Sequence, residues 1–475
     1  RHPRQTQGLR HSDHGPTIDD AGEKYGRYDH PGVDLTEIEH YADALAQVEH
    51  LLGRLTGDEA HRATHGELEA MVQAEGSELL RGLESVFPLD AELNLPPDKY
   101  SHGLREVVVQ EVVGGSFDEA VAHLARAGGG QLAKRQAEEV SVQLSQDFDA
   151  FYDQPLAPPQ AAREAGKLLV ISADGKGIVM HPNSLREATR RAMEREAHKQ
   201  HTRLSPGEKK NRKRMATVAS VYEVDPYPRT AEQILDPDQQ PGGKRPRAEN
   251  KRTWARVEAD QGTVIEQAFA EAVRRDPDQK LHWVVLTDGN EDLLRQVAAA
   301  AKRYKVEIVL VQDFIHVLEY LWKAAYALHP EHAEERESWV MDRATAVLEG
   351  RAQDVAVGLR RAATRKQLSQ NARKPVDKAA DYIDNNQERL QYDRALGHGL
   401  PIATGVIEGA CRHLVKDRMD ITGARWGLAR AEAILKLRSL KISGDLPAYL
   451  AFHFEQEHKR NYPGPPIPLA VSHAA

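Results

Sequence analysis

The chain has 475 residues, 40% of them hydrophobic and 29% charged, with a formal net charge of −8. That length has room for roughly two to four domains and a sizeable core, while no apolar run approaches the ~18–20 residues of a membrane span, and the opening RHPRQTQGLRHSDHG holds no apolar stretch of the kind a secretory signal carries. A single cysteine, Cys411, excludes an internal disulfide and a cysteine-based zinc cluster, and a cytoplasmic setting is expected.

Residues 1–30 are polar, aperiodic and rich in Gly and His, and are expected to be disordered. Residues 31–100 form a helical region in which Ile38, Tyr41, Leu45, Val48, Leu51 and Leu52 recur at helical spacings, until FPLDAELNLPPDKY ends it. Across 101–155 a helix closed by glycines (LREVVVQEVVGG) is followed by Ser116 and, three positions on, Glu119, the reciprocal pair of a helix start. A glycine turn then leads to a further helix with Lys134, Arg135 and Gln136 near its start. This is how a DNA-binding helix-turn-helix reads, and equally how a plain helical hairpin reads.

From residue 160 the pattern changes. KLLVISAD and GKGIVM read as two strands of a tight hairpin, and ATVASVYEV as a third. Between them, Arg186 to Arg214 carry eleven Lys and Arg against four Glu, a local +7. That is either a phosphate-binding stretch or a solvated charged helix and loop. Residues 225–252 are rich in proline and charge and read as an exposed insertion. QGTVIEQAFAEAVRR is helical, LHWVVLTD a fourth strand, EDLLRQVAAAAKRY a helix, VEIVLVQD a fifth strand, and the remainder is helical with a break at GHGLPIATG.

An antiparallel meander of three strands followed by two parallel additions gives an α/β fold with a mixed five-stranded sheet flanked by helices, the order of ribonuclease-H-like folds. The expected catalytic domain is 160–324 with 401–445, interrupted by an all-helical insertion at 325–400 and followed by a tail at 446–475.

Asp174 and Asp288 each follow an apolar run and precede a glycine. On neighbouring strands their carboxylates would emerge side by side, and a divalent cation such as Mg²⁺ relieves the repulsion. Either aspartate also reads as an ordinary Asp-Gly turn. Glu408, Arg412 and Lys416 fall at i, i+4 and i+8 of a helix, a stripe able to meet a metal at one end and phosphate along the rest, or simply a salt-bridged face.

Together, ISADGKGIVM, LTDGN, QDFIHVLEYLW and GVIEGACRHLVKDRMDITGARWG resemble the ISKra family of bacterial insertion-sequence transposases, DDE enzymes related in plan to the Mutator-like superfamily, over about Lys167 to Leu440. The resemblance implies that Asp174, Asp288 and Glu408 are the catalytic acids, holding two Mg²⁺ or Mn²⁺ ions. It implies that Asp313 and His316 are the accessory D-x-x-H element, and that Arg425 and Trp426 are a family pair able to meet phosphate and stack on a base. The partners implied are double-stranded DNA with terminal inverted repeats and target DNA, with a homo-oligomer joining two ends and no membrane. A nucleoid-associated location follows. Two other readings stay open, a nuclease with the same core and a domesticated, non-catalytic DNA-binding protein. The acidic net charge departs from a self-sufficient DNA-binding enzyme.

Overall fold

A computed structural model of the chain describes residues 93–127, 132–154, 166–196, 212–239, 245–330, 333–421 and 423–462, with Ala46 alone from further upstream. The chain divides into two compact units, Pro96–Arg460 and Arg1–Leu95 with Asn461–Ala475. The expected tail at 1–30 and nearly all of the 31–100 helical region lie outside the described residues.

The larger unit is α/β. Its five-stranded sheet has the order β3-β2-β1-β4-β5, with β1 Leu168–Val179, β2 Lys213–Val224, β3 Glu249–Arg256, β4 His282–Thr287 and β5 Val309–Gln312. β1 and β2 are antiparallel, as are β2 and β3, while β4 and β5 add in parallel.

Two strands depart from the sequence reading. The expected hairpin KLLVISAD–GKGIVM is one continuous strand, paired with β2 from Leu168↔Val224 to Val179↔Lys213. Its glycines serve close approach and not a turn. A Cβ at Gly177 would stand 2.9 Å from Lys213 Cδ, and one at Gly175 3.2 Å from Met215 Cε. The fifth strand is instead β3, whose first residues fall in the stretch read as an exposed insertion. Its arginines are buried, and acids distant in sequence neutralise them. Arg252 Nη1 donates to Glu271 Oε2 at 2.5 Å, and its guanidinium lies 3.3 Å from the Tyr152 ring centroid. Glu271, gripped by three arginines, titrates at about 2 despite its burial.

The sheet separates two apolar cores. Leu169, Ile171 and Ala173 point into one. It is completed by α1 His102–Gly114, α2 Phe117–Arg126, α3 Lys134–Gln143, α5 Gln261–Arg275, α6 Glu291–Tyr304, α12 Leu428–Ser443 and α13 Leu446–Asn461. Leu168 and Val170 point into the other, formed with α7 Phe314–Leu328, α8 Ala333–Leu348, α9 Ala352–Arg365 and α10 Gln370–Asn385. A further helix, α4 Glu187–Glu196, follows β1.

The Ser116–Glu119 capping box is present, with Glu119 N donating to Ser116 Oγ at 3.1 Å and Ser116 N to Glu119 Oε2 at 2.8 Å. The described residues of 325–400 are helices and turns. The stretch read as a tail from 446 is helical through Asn461, and Glu457 on it accepts both Arg105 Nη1 contacts at 2.7 Å. No helix among the described residues is long and apolar enough to cross a membrane.

The edge of β3 is covered by α12. The N–H groups of Thr253, Ala255 and Val257 donate to Ser443 Oγ at 3.0 Å, Ser439 Oγ at 3.2 Å and Glu432 Oε2 at 2.8 Å. Positions 432, 439 and 443 share one helical face, so the helix satisfies backbone donors that an edge strand otherwise exposes.

Candidate active site

Parallel pairing of β1 with β4 ends at Ser172↔Leu286. Two residues beyond that pair stand Asp174, still within β1, and Asp288, just past the end of β4. Both are half-buried and line one cavity of about 570 Å³ with Asn290, Gln261 and Arg186. Asp174 Oδ1 accepts from the Gly175 N–H at 2.6 Å and Oδ2 from Cys411 Sγ at 3.4 Å. Asp288 Oδ1 accepts from Asn290 N at 2.9 Å.

Glu408 is exposed on α11 Gly405–Ala410. This helix packs against β1 and β2, but Glu408 lines a different cavity, of about 510 Å³. What joins the two sides is Cys411, one turn on. Burial pushes its thiol pKa up, and Asp174 and then Glu408 add to the rise. Among the described residues no group of three or more His, Cys, Asp or Glu side chains is placed to hold one metal ion. None of the three acids is in an ion pair there either. Each has only neutral donors, and oxygen donors without a cationic partner suit a hard divalent ion.

A buried network stands behind Glu408. Asp313 caps α7, its Oδ1 accepting from Ile315 N at 3.0 Å. Its Oδ2 meets Thr404 Oγ1 at 2.5 Å and His316 Nδ1 at 2.8 Å. Thr404 Oγ1 also stands 3.2 Å from Glu408 Oε1. Burial raises the Asp313 pKa, but hydrogen bonds from His316, Thr404 and Ile315 outweigh it and leave it lowered. The same bond raises that of His316, against a smaller effect of burial, and Asp288 contributes to the rise. Thr404 was invisible in the sequence reading. A threonine before a helix signals an N-cap, yet its hydroxyl makes no cap bond and reaches Asp313 and Glu408 instead.

The Glu408–Arg412–Lys416 stripe does not run as an α-helix. Cys411–Lys416 is π-helical. Buried pairs recur every four residues here (Ala410 and Cys411, Leu414 and Val415, Arg418 and Met419), a slower period than 3.6, and the backbone widens to follow it. All three stripe residues are exposed, with Arg412 3.9 Å from Asp417. Arg438 collects carbonyls around this segment, its Nε donating to Leu414 O at 2.8 Å.

Trp426 is a core residue and offers no face to a base. It is 6% exposed, its Nε1 donates to Met419 O at 3.0 Å, and its backbone bonds Val179 and His181. The Arg418 guanidinium lies 4.9 Å from its ring, and burial pushes that arginine's pKa down to about 10. Arg425 beside it is exposed.

At the start of α3, Lys134 pairs with Asp118 at 2.6 Å, Arg135 with Glu139 at 2.8 Å, and Gln136 accepts from Ala133 N at 3.2 Å. α1 to α3 share one core with the sheet. In the basic stretch, Arg190 and Arg191 pair with Glu187 and Glu194 along α4, and Arg214 donates to Val257 O at 2.8 Å. Residues 197–211 lie outside the described residues.

No family model matches this chain, and no curated protein matches its sequence.

Proposed function

We propose that this protein is a DNA transposase of a bacterial insertion sequence, cutting and joining strands at the element ends with Asp174, Asp288 and Glu408 as its acids. The observation that carries the reading is the register of β1 and β4. Asp174 and Asp288 stand two residues beyond the last paired position and line one cavity, with no ion-pair partner among the described residues. Three antiparallel strands with two parallel additions are also what a ribonuclease-H-like core requires.

On this reading the three acids would hold two Mg²⁺ or Mn²⁺ ions, whose chemistry when bound would be to lower the pKa of the attacking water or 3′-hydroxyl and to stabilise the leaving oxygen. The chain's own part is positional. Gly175 N–H and Cys411 Sγ orient Asp174, Asn290 N orients Asp288, and the Thr404 hydroxyl lies between Asp313 and Glu408, able to donate to one of them at a time. His316, whose pKa the Asp313 hydrogen bond raises, would offer a positive group for a strand phosphate when protonated. Lys416 and Arg425, exposed and without an ion-pair partner among the described residues, suit backbone contact with duplex DNA. Joining two ends calls for a homo-oligomer, and the DNA substrate for a cytoplasmic, nucleoid-associated location.

Incubation with labelled DNA carrying the flanking terminal repeats and Mg²⁺ tests this. Wild-type protein should nick the ends and join them to target DNA, a product a simple nuclease does not make. Asp174→Ala should abolish both steps and retain DNA binding. Cutting by Asp174→Ala at the wild-type rate would overturn the assignment.

A further inference from the structure

The cavity that Glu408 lines lies outside the pair of aspartates, and its chemistry is specific. We propose that it is a nucleotide subsite taking one unpaired nucleotide of a DNA strand, its phosphate on Arg229 and Arg245 and its base against Tyr227 and the apolar wall. The choice of nucleic acid as ligand rests on the transposase reading.

The size is right. About 510 Å³ falls within the usual range of small-ligand sites, roughly 300–1,000 Å³. Val224, Pro401, Ala403 and Val406 line it, and Ile315, 42% exposed, stands at its side. The Tyr222 side chain also lines it. That tyrosine is only 3% exposed, and its hydroxyl has no hydrogen-bond partner among the described residues. Lining the cavity, that hydroxyl is placed to hydrogen-bond the edge of a heterocycle.

The charge is also right. Arg229 is fixed by its Nε bond to Tyr227 O at 3.0 Å and its Nη2 bond to Leu400 O at 2.8 Å, leaving Nη1 without an acceptor among the described residues. Arg245 has no hydrogen bond or ion pair among them. Burial lowers the Arg229 pKa, and the positive charge of Arg245 lowers it further. Neither guanidinium has an ion-pair partner among the described residues although Asp225 and Glu408 share the lining, and arginine is well matched to phosphate. Asp225, an acid on the wall, is 3.9 Å from Lys167, which bonds Glu249 more closely at 2.5 Å.

The strand must be unpaired at this point, because a base stacked in duplex cannot enter a cavity. Glu408 shares the lining, so the held nucleotide adjoins a proposed catalytic acid.

The rigid frame supports a built site. Tyr227 N donates to Gly399 O at 2.9 Å and Arg229 N to Leu396 O at 3.2 Å. These bonds weld the arginine loop to the segment leading into Glu408.

Fluorescence anisotropy with a short oligo(dT) strand and a duplex of equal length, both in EDTA, tests this without any cutting. Arg229→Ala with Arg245→Ala should weaken single-strand binding about tenfold or more and lower its salt slope by about 0.7, the share of the one phosphate they hold. Duplex binding should change less than about threefold. Tyr222→Phe should weaken the single strand roughly threefold. Equal losses on both DNAs, or none on the single strand, overturn the subsite. Should the double variant melt early, Arg245→Ala alone carries the test, since that residue is exposed. A loss confined to the single strand supports the proposal, and no difference refutes it. Asp174→Ala should bind the strand as wild type does, so a failed metal centre and a failed subsite give different results.

Discussion

Tyr382 of the helical insertion donates its hydroxyl to the backbone carbonyl of Asp288 at 3.1 Å. It accepts in turn from Gln312 Nε2 at 2.6 Å, and stacks on Tyr320 with ring centroids 4.1 Å apart. Gly289, at φ +88°, completes the cradle, since a Cβ there would stand 2.8 Å from Gln312 Nε2. The insertion is therefore the outer wall of the second aspartate's loop.

Tyr382→Phe removes that hydroxyl and leaves two part-buried groups without a partner. It should cost about 1–3 kcal/mol of stability, read as a lower Tm. If Asp288 works as proposed, strand cutting at 25 °C should fall further than the unfolded fraction accounts for. Unchanged cutting in a folded variant would disconnect the insertion from the site.

Gly399 and Gly397 make a matched pair. Gly399 has φ +74°, and a Cβ on it would lie 2.4 Å from Tyr227 N. Gly399→Ala should therefore cost about 3 kcal/mol or more, combining backbone strain with a clash that backbone cannot escape. At Gly397 a Cβ meets nothing within 4 Å, so Gly397→Ala should be neutral or gain up to about 1 kcal/mol. Urea unfolding of both variants checks the contrast.

Thr404→Val keeps the shape of the side chain and deletes the hydroxyl that stands between Asp313 and Glu408. It should raise the Mg²⁺ concentration needed for cutting severalfold, with Thr404→Ser close to wild type. A Val variant that matches wild type across the metal titration would remove Thr404 from the site.

The Asp313–His316 pair predicts a pH window. A lowered Asp313 pKa contributes stability that is present above its ordinary 3.8 and is lost as pH falls through the folded value. A raised His316 pKa contributes stability that is complete below 6.5 and is lost as pH rises through the folded value. The Tm gap between wild type and His316→Asn should thus be widest from about pH 4 to 6.5 and narrow on either side. A gap independent of pH would mean that the pair is not ionic.

Strands whose partners are apolar were legible in advance. LLVISAD and VVLTD announce themselves by runs of Leu, Val and Ile, and their aspartates line one cavity. β3 was not legible, because ENKRTWAR reads as solvated until Glu271 and Glu432 arrive from elsewhere to bury Arg252 and Arg256. The ADGKG glycines carried a turn signal that was mistaken, since their need is set by Lys213 and Met215 across the sheet. Glu408, Arg412 and Lys416 are all exposed, but the π-helical turn from Cys411 to Lys416 carried no signal in their spacing.

Ser439, Ser443 and Glu432 act towards β3 as a sixth strand's carbonyls would. With Thr253, Ala255 and Val257 already engaged, that flank has no free backbone donors at these three positions for another molecule to join. Two copies meeting there must recognise each other by side chains, which leaves their mutual angle free of the fixed ~4.8 Å lattice that strand addition imposes.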